Sequence, residues 1–215
     1  MNITTDASIY EIESEKIVYP NNRDDLIKFI RNLLLDKQSF TMRAGGTSIG
    51  GQAIGKGVLV DVSKYLTNII NFREDKKEIV VEPGVIQDDL NSYLRMYNLK
   101  FAPDTSTSNR AMIGGMIGNN SCGSYSIFYG TTREHVKSIE VILSDGSVVE
   151  FKELTEKELN NKLSLQTLEG DIYRFVINLL NNSQKVILDA YPDETLIRRN
   201  TGYALDELIR KHRPY

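Results

Sequence analysis

The chain has 215 residues, 40% of them hydrophobic, with 26 Lys and Arg against 29 Asp and Glu and a net charge of −3. That is length enough for a sizeable core in an ordinary globular composition, and the slightly acidic balance excludes the basic footprint of a nucleic-acid binder. The single cysteine, Cys122, excludes an internal disulfide framework or a multi-cysteine metal site and points to a reducing, cytoplasmic compartment. No apolar run approaches the roughly 18 residues of a spanning helix, which leaves only peripheral contact with the inner face of a membrane.

Residues 1–14 are polar without a period and read as a loosely held arm. Lys16–Tyr19 reads as a strand ended by Pro20. A helix is expected from Arg23 to Lys37, with Asn21 or Asn22 as its cap, Asp24 and Asp25 in the first turn, and an apolar face of Leu26, Ile27, Ile30, Leu33 and Leu34. Ser39–Arg43 and Val58–Asp61 read as strands on either side of a glycine-rich loop, and this β-α-β opening predicts a small parallel sheet. Leu66–Asn71 and Glu78–Glu82 follow as strands around a charged turn, closed by Pro83-Gly84. Ile86–Tyr97 has helical spacing, Thr105–Asn109 is loop, and Met112–Ile117 allows one helical turn.

Val136–Leu143 and Ser147–Phe151 are joined by Asp145-Gly146, a hairpin signal. From Leu154 the sequence turns charged and helical, with an apolar face at Ile172, Phe175, Val176 and Leu179. The end at Arg213-Pro-Tyr215 shows no closing element and reads as truncation. The domain reading is therefore 1–151, in subdomains 16–71 and 72–151, followed by a helical extension over 152–215. The fold class is α+β.

Glycine is not scattered. Gly45, Gly46, Gly50, Gly51, Gly55 and Gly57 fall in one window, and Gly114, Gly115, Gly118, Gly123 and Gly130 in a second, which together hold most of the chain's 15 glycines. Glycine carries an entropic cost, so such clustering points to backbone N–H groups that must approach a ligand closely, most often a phosphate. A flexible surface loop is the plain alternative for residues 44–57. Gly50-x-x-x-x-Gly55-Lys56 nearly spells the phosphate loop of ATPases, but Gly57 stands where Ser or Thr should hold magnesium, and a strand follows rather than a helix. No Gly-x-Gly-x-x-Gly stands between a strand and a helix, which removes the Rossmann reading. In the second window Asn119, Asn120 and Ser121 add donors and acceptors.

Arg43-Ala-Gly-Gly-Thr-Ser48, Pro83-Gly84, Pro103-Asp104, Ile113 to Gly123, Tyr129-Gly130, His135-Val136 and Val141 to Gly146 occur in that order. The series resembles the FAD-binding domain of the vanillyl-alcohol oxidase/p-cresol methylhydroxylase family, and within it the FAD-linked D-2-hydroxy-acid dehydrogenases of D-lactate, glycolate and D-2-hydroxyglutarate type. The resemblance covers residues 16–151, and 196–206 are similar to a segment of the long multidomain members. It implies two subdomains, a small parallel-type sheet and a larger mixed or antiparallel one, with FAD extended between them.

By resemblance, Gly45, Gly46, Thr47 and Ser48 hold the pyrophosphate, Pro83 and Gly84 support it, and Gln52 lies toward the flavin. Pro103, Asp104, Thr107, Ile113, Gly114 and Gly115 line the flavin and ribityl chain. Asn119, Asn120, Ser121 and Gly123 complete the wrap, and Val136 lies by the adenine. Thr47 stands where some relatives carry a flavin-linked histidine, which implies non-covalent FAD.

The implied activity is hydride transfer from a D-2-hydroxy acid to flavin N5, with an electron acceptor that could be an iron–sulfur module. A flavin reductase of cell-wall precursor synthesis shares the implied fold, and a non-catalytic fragment that does not retain FAD is the other reading. No catalytic residue and no metal site is assigned. His135 reads as a packing or hydrogen-bonding residue, His212 as exposed, Arg198-Arg199 as a surface pair, Lys56 as solvated and Cys122 as small filler. Tyr125 and Tyr129 read equally as flavin-stacking or core aromatics.

Overall fold

A computed structural model describes residues 4–193, 195–196 and 203–210. Arg198, Arg199, His212 and most of the 196–206 segment lie outside the described residues. The chain divides into two compact units after His135.

The first unit opens with a parallel sheet in the order β1-β3-β2, from β1 (Lys16–Val18), β2 (Phe40–Arg43) and β3 (Val58–Asp61). Strand β3 is central and buried along its whole length, as its unbroken apolar run Val-Leu-Val requires. Phe40 pairs with Val58 and Arg43 with Asp61, so β2 and β3 run in step and the glycine loop spans from the end of one to the start of the other. Between β1 and β2, helix α1 (Arg23–Leu35) buries Ile27, Ile30 and Leu33 at helical spacing. Asn22 caps it by accepting the Asp25 N–H at 2.9 Å. The helix stops two residues short of the expected end because Lys37 takes a left-handed φ of 53°.

Strands β4 (Ile69–Arg73) and β5 (Glu78–Val81) form an antiparallel pair with a bulge between Ile69 and Asn71. Helix α2 (Gln87–Leu94) continues as one 3₁₀ turn, Arg95–Tyr97. With α3 (Ile113–Asn119) they enclose a core of Val85, Leu90, Leu94, Ala111, Ile113 and Met116. Met112–Ile117 thus lengthens into two turns, ended by Asn120 at φ 47°. Helix α4 (Ser126–Tyr129) and a 3₁₀ turn, Thr132–His135, complete the unit.

In the second unit β6 (Ser138–Ile142) and β7 (Val148–Lys152) form the expected hairpin, with Gly146 at φ 78° in its turn. Among the described residues the antiparallel strands thus lie in two separate two-stranded ladders. Helix α5 (Glu156–Ser164) starts on a capping box of Thr155 and Glu158. Helix α6 (Leu168–Ala190) is longer than its apolar face suggested, and packs on α5 and on α7 (Leu205–Arg210). Gly170 makes the α5–α6 turn possible, because a side chain there would start 2.2 Å from the Leu165 carbonyl oxygen. Arg174 donates to the carbonyls of Leu163 and Leu165 at 2.6 Å each, which satisfies the end of α5. Among the described residues, no helix is long and apolar enough to cross a membrane.

Candidate functional site

The two glycine windows touch. A side chain at Gly45 would begin 2.3 Å from the Arg110 carbonyl oxygen, and one at Gly115 would begin 3.7 Å from the Ala44 Cβ. The first of these spaces is closed to any Cβ, so glycine at 45 is what lets residues 44–46 lie directly on residues 110–115. Gly46 has φ +60°, the left-handed region, and its Cβ would collide with the Arg43 guanidinium. The chain therefore turns sharply at 45–46. Among the described residues nothing accepts a hydrogen bond from the N–H groups of Gly45, Gly46, Thr47 or Ser48. A run of backbone donors around a left-handed turn is a concavity suited to an anion. Further along the loop, the Ser48 hydroxyl donates to the Gln52 side-chain oxygen, which folds Gln52 back over 48–50.

The second window is held from below by Pro83-Gly84. Gly114 N–H donates to the Pro83 carbonyl at 2.9 Å and Ile113 N–H to that of Val85 at 2.9 Å. A Cβ at Gly114 would stand 2.6 Å from the Pro83 Cβ, and one at Gly84 would meet the Val62 and Leu66 carbonyls at 2.5 and 2.6 Å. Pro83, Gly84, Ile113 and Gly114 thus share one tight backbone crossing. Thr107 accepts through its carbonyl from Arg110 and Ala111 N–H at 2.8 and 2.7 Å, closing the turn that ends against Gly45.

Asp104 ties in the far end. Its Oδ1 accepts the Tyr125 N–H at 2.9 Å, and its carbonyl lies 2.0 Å from where a Gly123 Cβ would be. Asn120 Oδ1 accepts the Arg133 N–H at 2.9 Å, while the Ser121 carbonyl accepts from Thr132 Oγ1 at 2.7 Å. These atoms hold the wrap itself in shape. Asn119 is the last residue of α3. Gly118 has open space on its Cβ side. Val136 is the first residue of the second unit.

Other residues of the sequence reading find their places. His135 Nε2 lies 2.7 Å from the Tyr129 carbonyl oxygen, with its ring edge-on to Phe101. Lys56 is exposed. Tyr125 and Tyr129 are exposed, alongside Ile127 and Phe128, so they do not belong to the core. The arm at residues 4–14 is pinned rather than loose, because Ser14 Oγ donates to the Gly55 carbonyl at 2.8 Å and Thr5 bridges Glu11. A separate hollow of about 360 Å³ is lined by Ile69–Phe72, Glu74, Tyr93 and Tyr97, none of them a residue singled out for the cofactor.

Gln87 was not singled out. It is 2% exposed, and its amide donates to the Pro103 carbonyl while its Oε1 accepts the Thr105 hydroxyl at 2.9 Å. The backbone at 103–105 is thereby fixed from the core side. Its one trace in the sequence is a polar residue on the apolar face of the expected helix, at Ile86–Leu90 spacing. Arg43 and Asp6 were missed as well. Burial pushes the Asp6 carboxyl up, but the Ser8 hydroxyl and N–H, the Ala53 N–H and the Arg43 charge together hold it below the usual carboxylate range.

The residues suit a dinucleotide carrying a diphosphate: among the described residues the N–H groups at 45–48 have no acceptor, and the spaces at Gly45, Gly46 and Gly114 admit no side chain. The chain is 35% identical over 208 residues to D-2-hydroxyglutarate dehydrogenase of Escherichia coli (strain K12), a match over 95% of this chain and 20% of that one. It is 34% identical over 149 residues to the mitochondrial D-lactate dehydrogenase [cytochrome] of Kluyveromyces lactis, covering 66% of this chain and 25% of the other. The chain spans about a fifth of the length of the D-2-hydroxyglutarate dehydrogenases it matches. The crystal structure of a carbohydrate oxidase from Microdochium nivale shares the fold, with a TM-score of 0.64 at 18% identity over 73% of this chain and 34% of that one. The profile of the family described as "FAD binding domain" matches residues 14–152, and the chain belongs to that family.

Proposed function

We propose that this chain binds FAD non-covalently and serves in an FAD-dependent oxidoreductase that oxidises a D-2-hydroxy acid of the 2-hydroxyglutarate, lactate or glycolate class. The observation that carries the reading is the direct packing of residues 44–46 on 110–115, which turns two glycine windows into one cradle. In this reading the N–H groups of Gly45, Gly46, Thr47 and Ser48 meet the diphosphate with fixed dipoles, and Pro83-Gly84 sets the floor. Pro103, Asp104 and Thr107, with Ile113–Gly115, flank the flavin and ribityl chain. Gln52 faces the flavin end, Asn119, Asn120, Ser121 and Gly123 close the wrap, and Val136 lies by the adenine. Thr47 offers no nucleophile of the kind that would tether the ring.

When bound, the flavin supplies the hydride acceptor, and the chain's own residues orient it and exclude water. Residues 16–71 and 72–151 act as the two subdomains around it, with 152–215 as a helical extension. Electrons pass on to a separate acceptor, which we take to be an iron–sulfur module, and the setting is cytoplasmic, in line with the single Cys122.

Titrating FAD into the protein and following quenching of flavin fluorescence tests the site. Saturable quenching is expected, and Gly46→Val should abolish it, since φ +60° and the Arg43 guanidinium both reject a branched side chain. Quenching untouched by that change would remove the loop from the site. Anaerobic bleaching of the flavin in the longer protein, by D-2-hydroxyglutarate against D-lactate, ranks the substrates. The fragment reading draws on the fifth-length match to the D-2-hydroxyglutarate dehydrogenases, and absence of quenching would favour it.

A further inference from the structure

Behind the turn at 45–48 lies a charge that the fold has taken out of water. Arg43 is 5% exposed at the end of β2, with Nη1 donating to the Ala53 carbonyl at 3.1 Å. Its Nη2 is 2.3 Å from where a Gly46 Cβ would stand, so the guanidinium lies against the bare α-carbon of the turn. The field of a guanidinium so buried is screened less than at the surface.

The segment before β1 crosses the same loop. Asp6 Oδ1 accepts the Ser8 N–H at 2.8 Å. The Tyr10 ring lies 3.0 Å from where a Gly51 side chain would begin. Ser14 Oγ holds the Gly55 carbonyl, and Glu15 N–H donates to that of Lys56, both at 2.8 Å. Three contacts, at Gly51, Gly55 and Lys56, make residues 10–15 a strap across the second half of the glycine loop.

We propose that Arg43 is a positioning residue for the diphosphate, bracing the Gly46 turn from behind and lending it positive charge. The inference rests on the reading that residues 45–48 hold the diphosphate of FAD.

The experiment measures FAD affinity by flavin fluorescence, and ADP affinity by competition, for the wild type and for Arg43→Met and Arg43→Lys, each with a thermal melt. Arg43→Met is expected to weaken both ligands at least tenfold, with Arg43→Lys recovering to within about threefold of wild type. Arg43→Met binding as tightly as wild type, or Arg43→Lys no better than Arg43→Met, overturns the proposal. Wild type that binds FAD, and loses it in Gly46→Val, isolates that failure to this inference; wild type that binds none overturns the site reading and this inference together.

Discussion

Glycines that look alike in the sequence do different work in the fold, and alanine separates them. At Gly45 an added Cβ falls 2.3 Å from a backbone oxygen, which cannot move without the turn closed on Thr107. Gly45→Ala should cost about 1–3 kcal/mol by overpacking, and more where relaxation is blocked. Gly118 lies within α3 with open space on its Cβ side. Gly118→Ala should instead stabilise by about 0.5–1 kcal/mol, the helix propensity difference. Urea midpoints at constant slope measure both. A Gly45→Ala variant as stable as wild type would mean that the two windows can part freely.

At the scale of elements, the start of α5 offers a clean measurement, because two side chains, Thr155 and Glu158, close it. Glu158 is held below the usual carboxylate range by the Thr155 N–H and then its hydroxyl. A depressed carboxyl contributes stability that is present above its ordinary value of 4.5 and is lost as the pH falls through and below it. Thr155→Ala should cost about 1 kcal/mol at neutral pH, and the variant's melting temperature should fall less steeply below pH 4.5 than that of wild type. Parallel acid profiles for the two would mean that the box adds nothing.

The cap of α1 shows what a sequence gives away. Asn22 with its acidic first turn, the apolar spacing of α1, the Asp145-Gly146 hairpin and the unbroken run of β3 were legible because each signal is local. Gln87 was hidden because its role depends on Pro103 and Thr105, far along the chain, and the strap because a polar arm has no period to read. The candidate site was legible as two windows through their glycines. What linear order could not show is that Gly45 rests on the Arg110 carbonyl.

For the molecule as a whole, that contact makes the two windows one cooperative unit. Local opening at 44–46 uncovers 110–115 and the reverse, since each surface is the other's packing partner. A ligand that binds only the closed arrangement stabilises it by mass action, by about 2.7 kcal/mol at a hundred times its dissociation constant. Hydrogen exchange with saturating FAD should therefore slow amides in 44–48 and in 113–123 together, and by similar factors, even where only one window touches phosphate. Gly114→Val gives the decisive comparison, because its side chain would strike Pro83. It is expected to lower protection at 44–48 as well as at 113–123, while α5 and α6 in the second unit keep theirs. Protection lost in the second window alone would show two independent loops, each binding on its own account.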